Sequence, residues 1–341
     1  MLNIIKSTEP MKVETVKILI FGEPGTGKTS TAFTAVKTIL FDFDNGAYRS
    51  KNRGDVVSIS NWDETANILK EDLKDYDTIC IDTIGRALDY LQSSIIEKDK
   101  KNVKKLYTKL DGSLSLQGYG VLKLYFTNWF KQLSVLGKDI IMISHSKEDK
   151  DGDKRYYRPD ITGGSYGEVI KVVDFAGYMF KVEKATHLDF NPTEAYIGKN
   201  SAGFGLLQIP DYTKDPNYFA EIIKQMKASL NSISEEQVKA LQLIDKAKTA
   251  IDKATTPNEL NAIMNKVKEQ KNGIKQQIWV HLKTKADLLG FDFIPEQKVF
   301  IAIPKKETPK QEIIEEQKKD SWDDVIGAKE ETALETEINF E

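Results

Sequence analysis

Val16-Lys-Ile-Leu-Ile-Phe21-Gly22-Glu23-Pro24-Gly25-Thr26-Gly27-Lys28-Thr29-Ser30 is the stretch on which the fold turns. Its first six residues form a mostly apolar run of strand length, as a strand buried on both faces requires. From Gly22 to Thr29 it fills every position of G-x-x-x-x-G-K-[ST]. Each position has a physical reason. Glycines let backbone N–H groups face phosphates, and the following helix N-terminus adds a positive dipole. Lys28 reaches the β- and γ-phosphates and Thr29 offers a hydroxyl to magnesium. Gly22, Glu23, Pro24, Gly25, Thr26, Gly27, Lys28, Thr29 and Ser30 are therefore the candidate cofactor-binding loop, for ATP and Mg2+.

Outward from this loop, hydrophobic periodicity predicts a helix over 29–39 and strands over 39–44 and 56–60. It then predicts a helix over 65–73, a strand over 78–82, a helix over 119–136 and strands over 139–144, 172–182 and 194–197. Short apolar strands alternating with helices imply an α/β fold with a mostly parallel sheet covered on both faces. This core is expected over 1–212. Beyond it the pattern is helical, over 213–303. Ser234-Glu-Glu-Gln237 and Thr256-Pro-Asn-Glu259 have capping-box spacing, with Pro257 at the first helical position and Gly290 at a helix stop. Residues 304–341 are rich in Lys, Glu and Gln and read as a disordered tail. The last 22 positions hold eight acids against Lys329 alone.

Composition narrows the class. Of 341 residues, 40% are hydrophobic, enough for a sizeable core, and no apolar run approaches the length of a membrane helix. The amino terminus lacks a signal-peptide apolar region. A single cysteine, Cys80, forms no internal disulfide, and three scattered histidines make no zinc pattern. A cytoplasmic protein without a membrane partner is expected. The net charge of −3 splits into a mildly basic body and an acidic tail, the pattern of an interaction tail or of a solvating end.

Two further acids complete the chemistry. Asp82 ends Thr78-Ile-Cys-Ile-Asp82, where a second acid orients the magnesium shell, and Thr83 follows it. Nucleotide hydrolysis also needs a group that orients the attacking water. The segment Phe41-Asp42-Phe43-Asp44-Asn45-Gly46 offers Asp42, read as a turn acid, and Asp44, read as the catalytic one.

In this order of parts the chain resembles RecA-family recombinases. The family carries its catalytic glutamate at the end of the strand after the phosphate-loop helix. Asp44 matches that position one methylene shorter. Asp82 matches the metal-site aspartate. Ile140-Ile-Met-Ile-Ser144-His145 matches the strand that ends in a γ-phosphate sensor, so the resemblance implies that role for His145. A DNA-binding loop with Thr-Gly-Gly follows in the family; here residues 147–160 lead into Thr162-Gly163-Gly164. Ala195-Tyr-Ile-Gly198-Lys199-Asn200 resembles the segment that sends a lysine to a neighbouring subunit's nucleotide, which makes Lys199 a trans-acting candidate. The short core and Ser144-His145-Ser146 look most like phage-encoded RecA-like ATPases that act as annealing proteins or minimal recombinases. The resemblance covers roughly residues 14–210.

Basic stretches with interleaved aromatics are the candidate single-stranded-DNA sites, because cations neutralise phosphates and aromatic rings stack on bases. One contains Lys100, Lys101, Lys104, Lys105 and Tyr107; the other contains Arg155, Tyr156, Tyr157 and Arg158 in an expected loop, followed by Gly163 and Gly164. The expected protein is an ATP-dependent, DNA-stimulated recombinase that self-assembles into rings or filaments. Its tail is a candidate dock, through Trp322 and Phe340, for a single-strand-binding or replication protein. A ring helicase or helicase loader, and a nucleotide-dependent switch without DNA, use the same ATPase parts.

Overall fold

The computed structural model describes residues 4–6, 9–65, 68, 70–101 and 106–303. Lys104, Lys105 and the tail 304–341, with Trp322 and Phe340, lie outside the described residues. By contacts the chain divides into two units, one of residues 12–233 and one that runs from Ser234 and includes the residues up to Met11.

The first unit is built on β1 (Lys17–Gly22), whose apolar residues alternate between two cores. Leu19 packs in one cluster and Ile18 and Ile20 in the other, as the two-residue period of a strand demands. The strands β2 (Thr38–Asp42), β3 (Asp55–Ser58), β4 (Thr78–Asp82), β5 (Asp139–Asp151), β7 (Phe175–Val182), β8 (Ala185–Asp189) and β10 (Leu207–Ile209) complete the sheet, in the order β10-β8-β7-β1-β5-β4-β2-β3. From β3 to β7 every pairing is parallel; β8 and β10 add antiparallel edges. The α/β fold with a mostly parallel sheet is thus as expected.

One face is covered by α2 (Ile84–Lys100) and α3 (Leu116–Ser134), which bury Leu88, Leu91, Phe126 and Trp129 against Ile79, Ile81 and Met142. Trp62 and Trp129 pack with ring centroids 5.0 Å apart, and the Trp129 indole N–H donates to the Thr65 carbonyl at 3.0 Å. The other face is covered by α1 (Lys28–Ala32) and the start of α5 (Tyr218–Lys253), with Phe219, Ile222, Ile223 and Met226 on Ile18, Ile20 and Cys80. Those first turns of α5 belong to the sheet unit, and the division falls between Ile233 and Ser234.

Several elements differ from expectation. The phosphate-loop helix spans five residues, not 29–39. Thr34 turns its hydroxyl back to the Thr31 carbonyl at 2.7 Å and accepts the Phe219 N–H at 3.1 Å, and Lys37 has φ 39. Such side-chain bonds compete with helix propagation. Over 65–73 the described residues hold a 3-10 turn, Lys70–Leu73, instead of an α-helix. Residues 147–160 are not a loop. β5 runs on to Asp151 and pairs antiparallel with β6 (Lys154–Pro159), from Ser146 opposite Pro159 to Asp151 opposite Lys154. Residues 194–197 form no strand beyond a single bridge of Tyr196 to Tyr157. The strand nearby is β9 (Lys199–Asn200), paired to β7.

The second unit holds the remainder of α5, α6 (Pro257–Val267), α7 (Asn272–Leu289) and a hairpin of β11 (Phe291–Ile294) and β12 (Val299–Ala302). Its core includes Ile244, Ile251, Leu260, Ile278, Trp279, Leu282 and Phe300. The Thr256–Glu259 capping box forms, and Gly290 ends α7 at φ 71. Ser234 starts no helix: α5 is continuous through it, and its hydroxyl accepts the Met11 N–H at 2.9 Å. Among the described residues no helix is long and apolar enough to cross a membrane.

Candidate nucleotide site

The phosphate loop connects β1 to α1 with Gly25 and Gly27 at φ 77 and 98, backbone that L side chains avoid. Gly22 serves a different end. A Cβ there would lie 2.1 Å from the Met179 carbonyl oxygen of β7, so it is glycine because two strands close on it. Lys28 folds back into the loop, and its ammonium donates to the carbonyls of Gly22 and Glu23, each at 2.8 Å. Burial pulls its pKa from 10.5 down to about 8, against the pull of Asp82, Asp44 and Glu23.

Asp82 reaches the loop because of strand alternation. Ile79 and Ile81 point into the α2–α3 core, so Cys80 and then Asp82 point to the α1 side. The Thr29 hydroxyl donates to the Asp82 carboxylate at 2.6 Å. Burial raises the Asp82 pKa, and the Thr29 hydrogen bond works against that rise. A hydroxyl and a carboxylate held together are the hard oxygen donors that magnesium takes. With the cationic Lys28 beside them, they fit a magnesium-bound nucleoside triphosphate, which supplies the phosphoryl group and the metal that neutralises its charge.

The two acids of the β2 end separate cleanly. Asp42 accepts the N–H groups of Gly46 and Ala47 at 3.1 and 2.8 Å and is the turn acid. Asp44 lies just past β2, its N–H directed to the Asp82 carbonyl at 3.2 Å. Its carboxylate faces Arg86 Nε at 3.3 Å, Arg49 Nη2 at 3.7 Å and His145 Nε2 at 3.8 Å. His145 stands opposite Gly22 in the β1–β5 register, and its Nδ1 is buried without a hydrogen-bond partner among the described residues. Lys28, Thr29, Asp44, Asp82 and His145 all line one cleft of about 1380 Å³. Sequence reading missed much of the rest of its wall, including Lys181, Lys184, Tyr212 and Tyr218. Lys181 donates to the Gly25 carbonyl at 2.9 Å. These residues come from β7, the turn after it, the approach to α5 and its first residue, and no motif marks them.

Other candidates lie elsewhere. Lys199 donates to the carbonyls of Ile170 and Lys171 at 3.2 and 3.3 Å, at the end of α4 (Gly164–Val172), and does not line the cleft. Gly163 precedes α4 at φ 55, and Gly164 is its first residue. Tyr107 packs against the α2–α3 core. Lys100 ends α2, and Lys101 follows it. In the β5–β6 hairpin Arg155 pairs with Glu148 at 3.1 Å and Arg158 with Asp149 at 2.5 Å. Tyr157 stacks on Tyr178 with planes 8° apart. Tyr107 thus packs on the core, Tyr157 on Tyr178, and Arg155 and Arg158 face two acids of the same hairpin.

A family model described as an AAA domain matches residues 14–202. No curated protein matches the chain. Among solved structures, the KaiC-like protein PH0186 from the hyperthermophilic archaeon Pyrococcus horikoshii OT3 aligns at 10% identity, covering 57% of this chain and 89% of its own, with a TM-score of 0.30. The RadB recombinase aligns at 12% identity, covering 54% of this chain and 90% of its own, also with a TM-score of 0.30. The family match begins at the strand that carries the phosphate loop and takes in both acids and the His145 strand. The chain belongs to the AAA domain family, with the phosphate loop of a P-loop ATPase.

Proposed function

We propose that this ATPase is a magnesium-dependent recombinase of phage type, which assembles with copies of itself on single-stranded DNA and promotes annealing or strand exchange. In this reading Lys28 holds the β- and γ-phosphates, Thr29 and Asp82 hold magnesium, and Asp44 orients the attacking water. His145 senses the γ-phosphate, and Lys199 leaves α4 to reach a neighbour's nucleotide. The observation that carries the reading is the meeting of Lys28, Thr29, Asp82, Asp44 and His145 in one cleft. The β5–β6 hairpin, with Arg155 and Tyr156, supports the DNA part: β5 carries His145 at the cleft and continues without a break into the hairpin.

The internal ion pairs of that hairpin favour a second reading, a nucleotide-dependent switch without DNA, because they match its two arginines with its own acids. ATP hydrolysis measured with and without single-stranded DNA, at low and moderate salt, separates the two. Stimulation that fades as salt rises is expected for the recombinase, since phosphate contacts are lost to counterions. No stimulation, together with no DNA-dependent assembly, selects the switch.

A further inference from the structure

Arg86 lies outside the phosphate-loop motif and outside the metal site, yet its guanidinium touches the acid at the centre of the proposed chemistry. Its Nε donates to Asp44 Oδ1 at 3.3 Å, and its Nη1 donates to Asp89 Oδ2 at 3.3 Å. The guanidinium is thus held between two carboxylates, in the fork geometry for which arginine is suited. Its backbone is fixed as well. Arg86 N–H donates to the Thr83 hydroxyl that caps α2 at 3.3 Å, and Thr83 follows Asp82 directly. Gly85, one residue before Arg86, packs so closely on the Asp160 carbonyl oxygen that a Cβ would lie 2.7 Å from it.

An aspartate carboxylate rotates broadly about its last torsion. The bond to Oδ1 removes that freedom and leaves Oδ2 toward His145, at 3.8 Å, on the cleft side. We propose that Arg86 is a positioning residue for Asp44: it sets the orientation in which the carboxylate meets the attacking water. The proposal rests on the reading of Asp44 as the water-orienting acid. Aspartate is a methylene shorter than the glutamate of the resembling family, so its oxygens have less reach and their orientation matters more. Arg49 does not replace Arg86, because its contact is longer, 3.7 Å, and is made to Oδ2 itself. The Arg86 side chain is 60% exposed, and exposed ion pairs add little stability. Its role therefore shows in rate and not in melting.

The test is steady-state ATP hydrolysis by the full chain at saturating magnesium and single-stranded DNA, for wild type, Arg86→Ala, Arg86→Lys, Asp44→Asn and the double variant Arg86→Ala/Asp44→Asn. Arg86→Ala is expected to lower kcat about 10- to 100-fold, the scale of a misplaced reacting group. KM for ATP and the melting temperature stay at wild-type values, and Arg86→Lys recovers part of the rate. In the Asp44→Asn background the loss of Arg86 adds nothing, because the group it positions is gone. Wild-type kcat in Arg86→Ala, or the same further drop in both backgrounds, overturns the positioning role while leaving Asp44 in place. Wild-type turnover by Asp44→Asn, or none by the wild-type chain, overturns the Asp44 reading and the proposal with it.

Discussion

Lys28 illustrates how one residue carries both a motif and a measurable consequence. Burial lowers its pKa to about 8. Between about 8 and 10.5 the unfolded chain holds a proton that the folded loop has released, so stability gains as pH rises through that window. Nucleotide binding has the opposite sign. Phosphates favour the ammonium, so above pH 8 binding takes up a proton and affinity falls. Calorimetry at pH 8.5 in buffers of different ionisation enthalpy is expected to show that uptake; binding with no proton exchange contradicts it. Gly22 makes a second residue-scale prediction. Gly22→Ala drives a Cβ into the Met179 carbonyl and is expected to unfold or strongly destabilise the chain in thermal melting, beyond any loss of ATP binding. The motif showed that Gly22 is glycine but not why, since its reason lies on a strand more than 150 residues away. Asp42 and Asp44 were legible as a pair, and the turn that takes Asp42 agrees with its sequence reading.

At the scale of elements, strands were legible where both faces are apolar. β4 has the bounds its sequence predicts, and β1 differs from the apolar run by one residue at either end. The β5–β6 hairpin was not legible, because Lys147 to Arg158 is almost wholly charged apart from Gly152, Tyr156 and Tyr157, and its pairing partners lie across the ribbon. Arg155 and Arg158 now separate. Arg155 is 66% exposed and its partner Glu148 is open to solvent, so it can exchange to a phosphate. Under the proposed recombinase reading, Arg155→Ala is expected to reduce the salt dependence of single-stranded-DNA affinity by about one phosphate contact; an unchanged slope in a salt titration removes Arg155 from that proposed interface. Arg158 is 19% exposed, bound to Asp149 and 5.1 Å over the Tyr166 ring, so a phosphate would have to displace both contacts. In the helical unit, the box at Thr256 forms while the same spacing at Ser234 lies inside α5, because capping requires a chain break that spacing alone does not create. Thr256→Ala is expected to cost about 1 kcal/mol in denaturant unfolding of that unit, and no change would contradict the cap.

For the molecule as a whole, the sequence conveyed that an apolar-stranded half precedes a helical one. The contact division at 233/234 was beyond it, since α5 begins by covering the sheet and its periodicity never breaks. The cleft was half legible: the motif side is local in sequence, whereas Lys181, Tyr212 and Tyr218 arrive by topology. As proposed, this cleft binds ATP with magnesium and hydrolyses it. The most direct measurement is phosphate release from ATP by the full chain, with magnesium and with EDTA, beside Lys28→Ala. Magnesium-dependent turnover is expected, and Lys28→Ala is expected to abolish it together with nucleotide binding. Turnover that survives in Lys28→Ala, or a folded wild-type chain that neither binds nor hydrolyses ATP, would contradict the proposal.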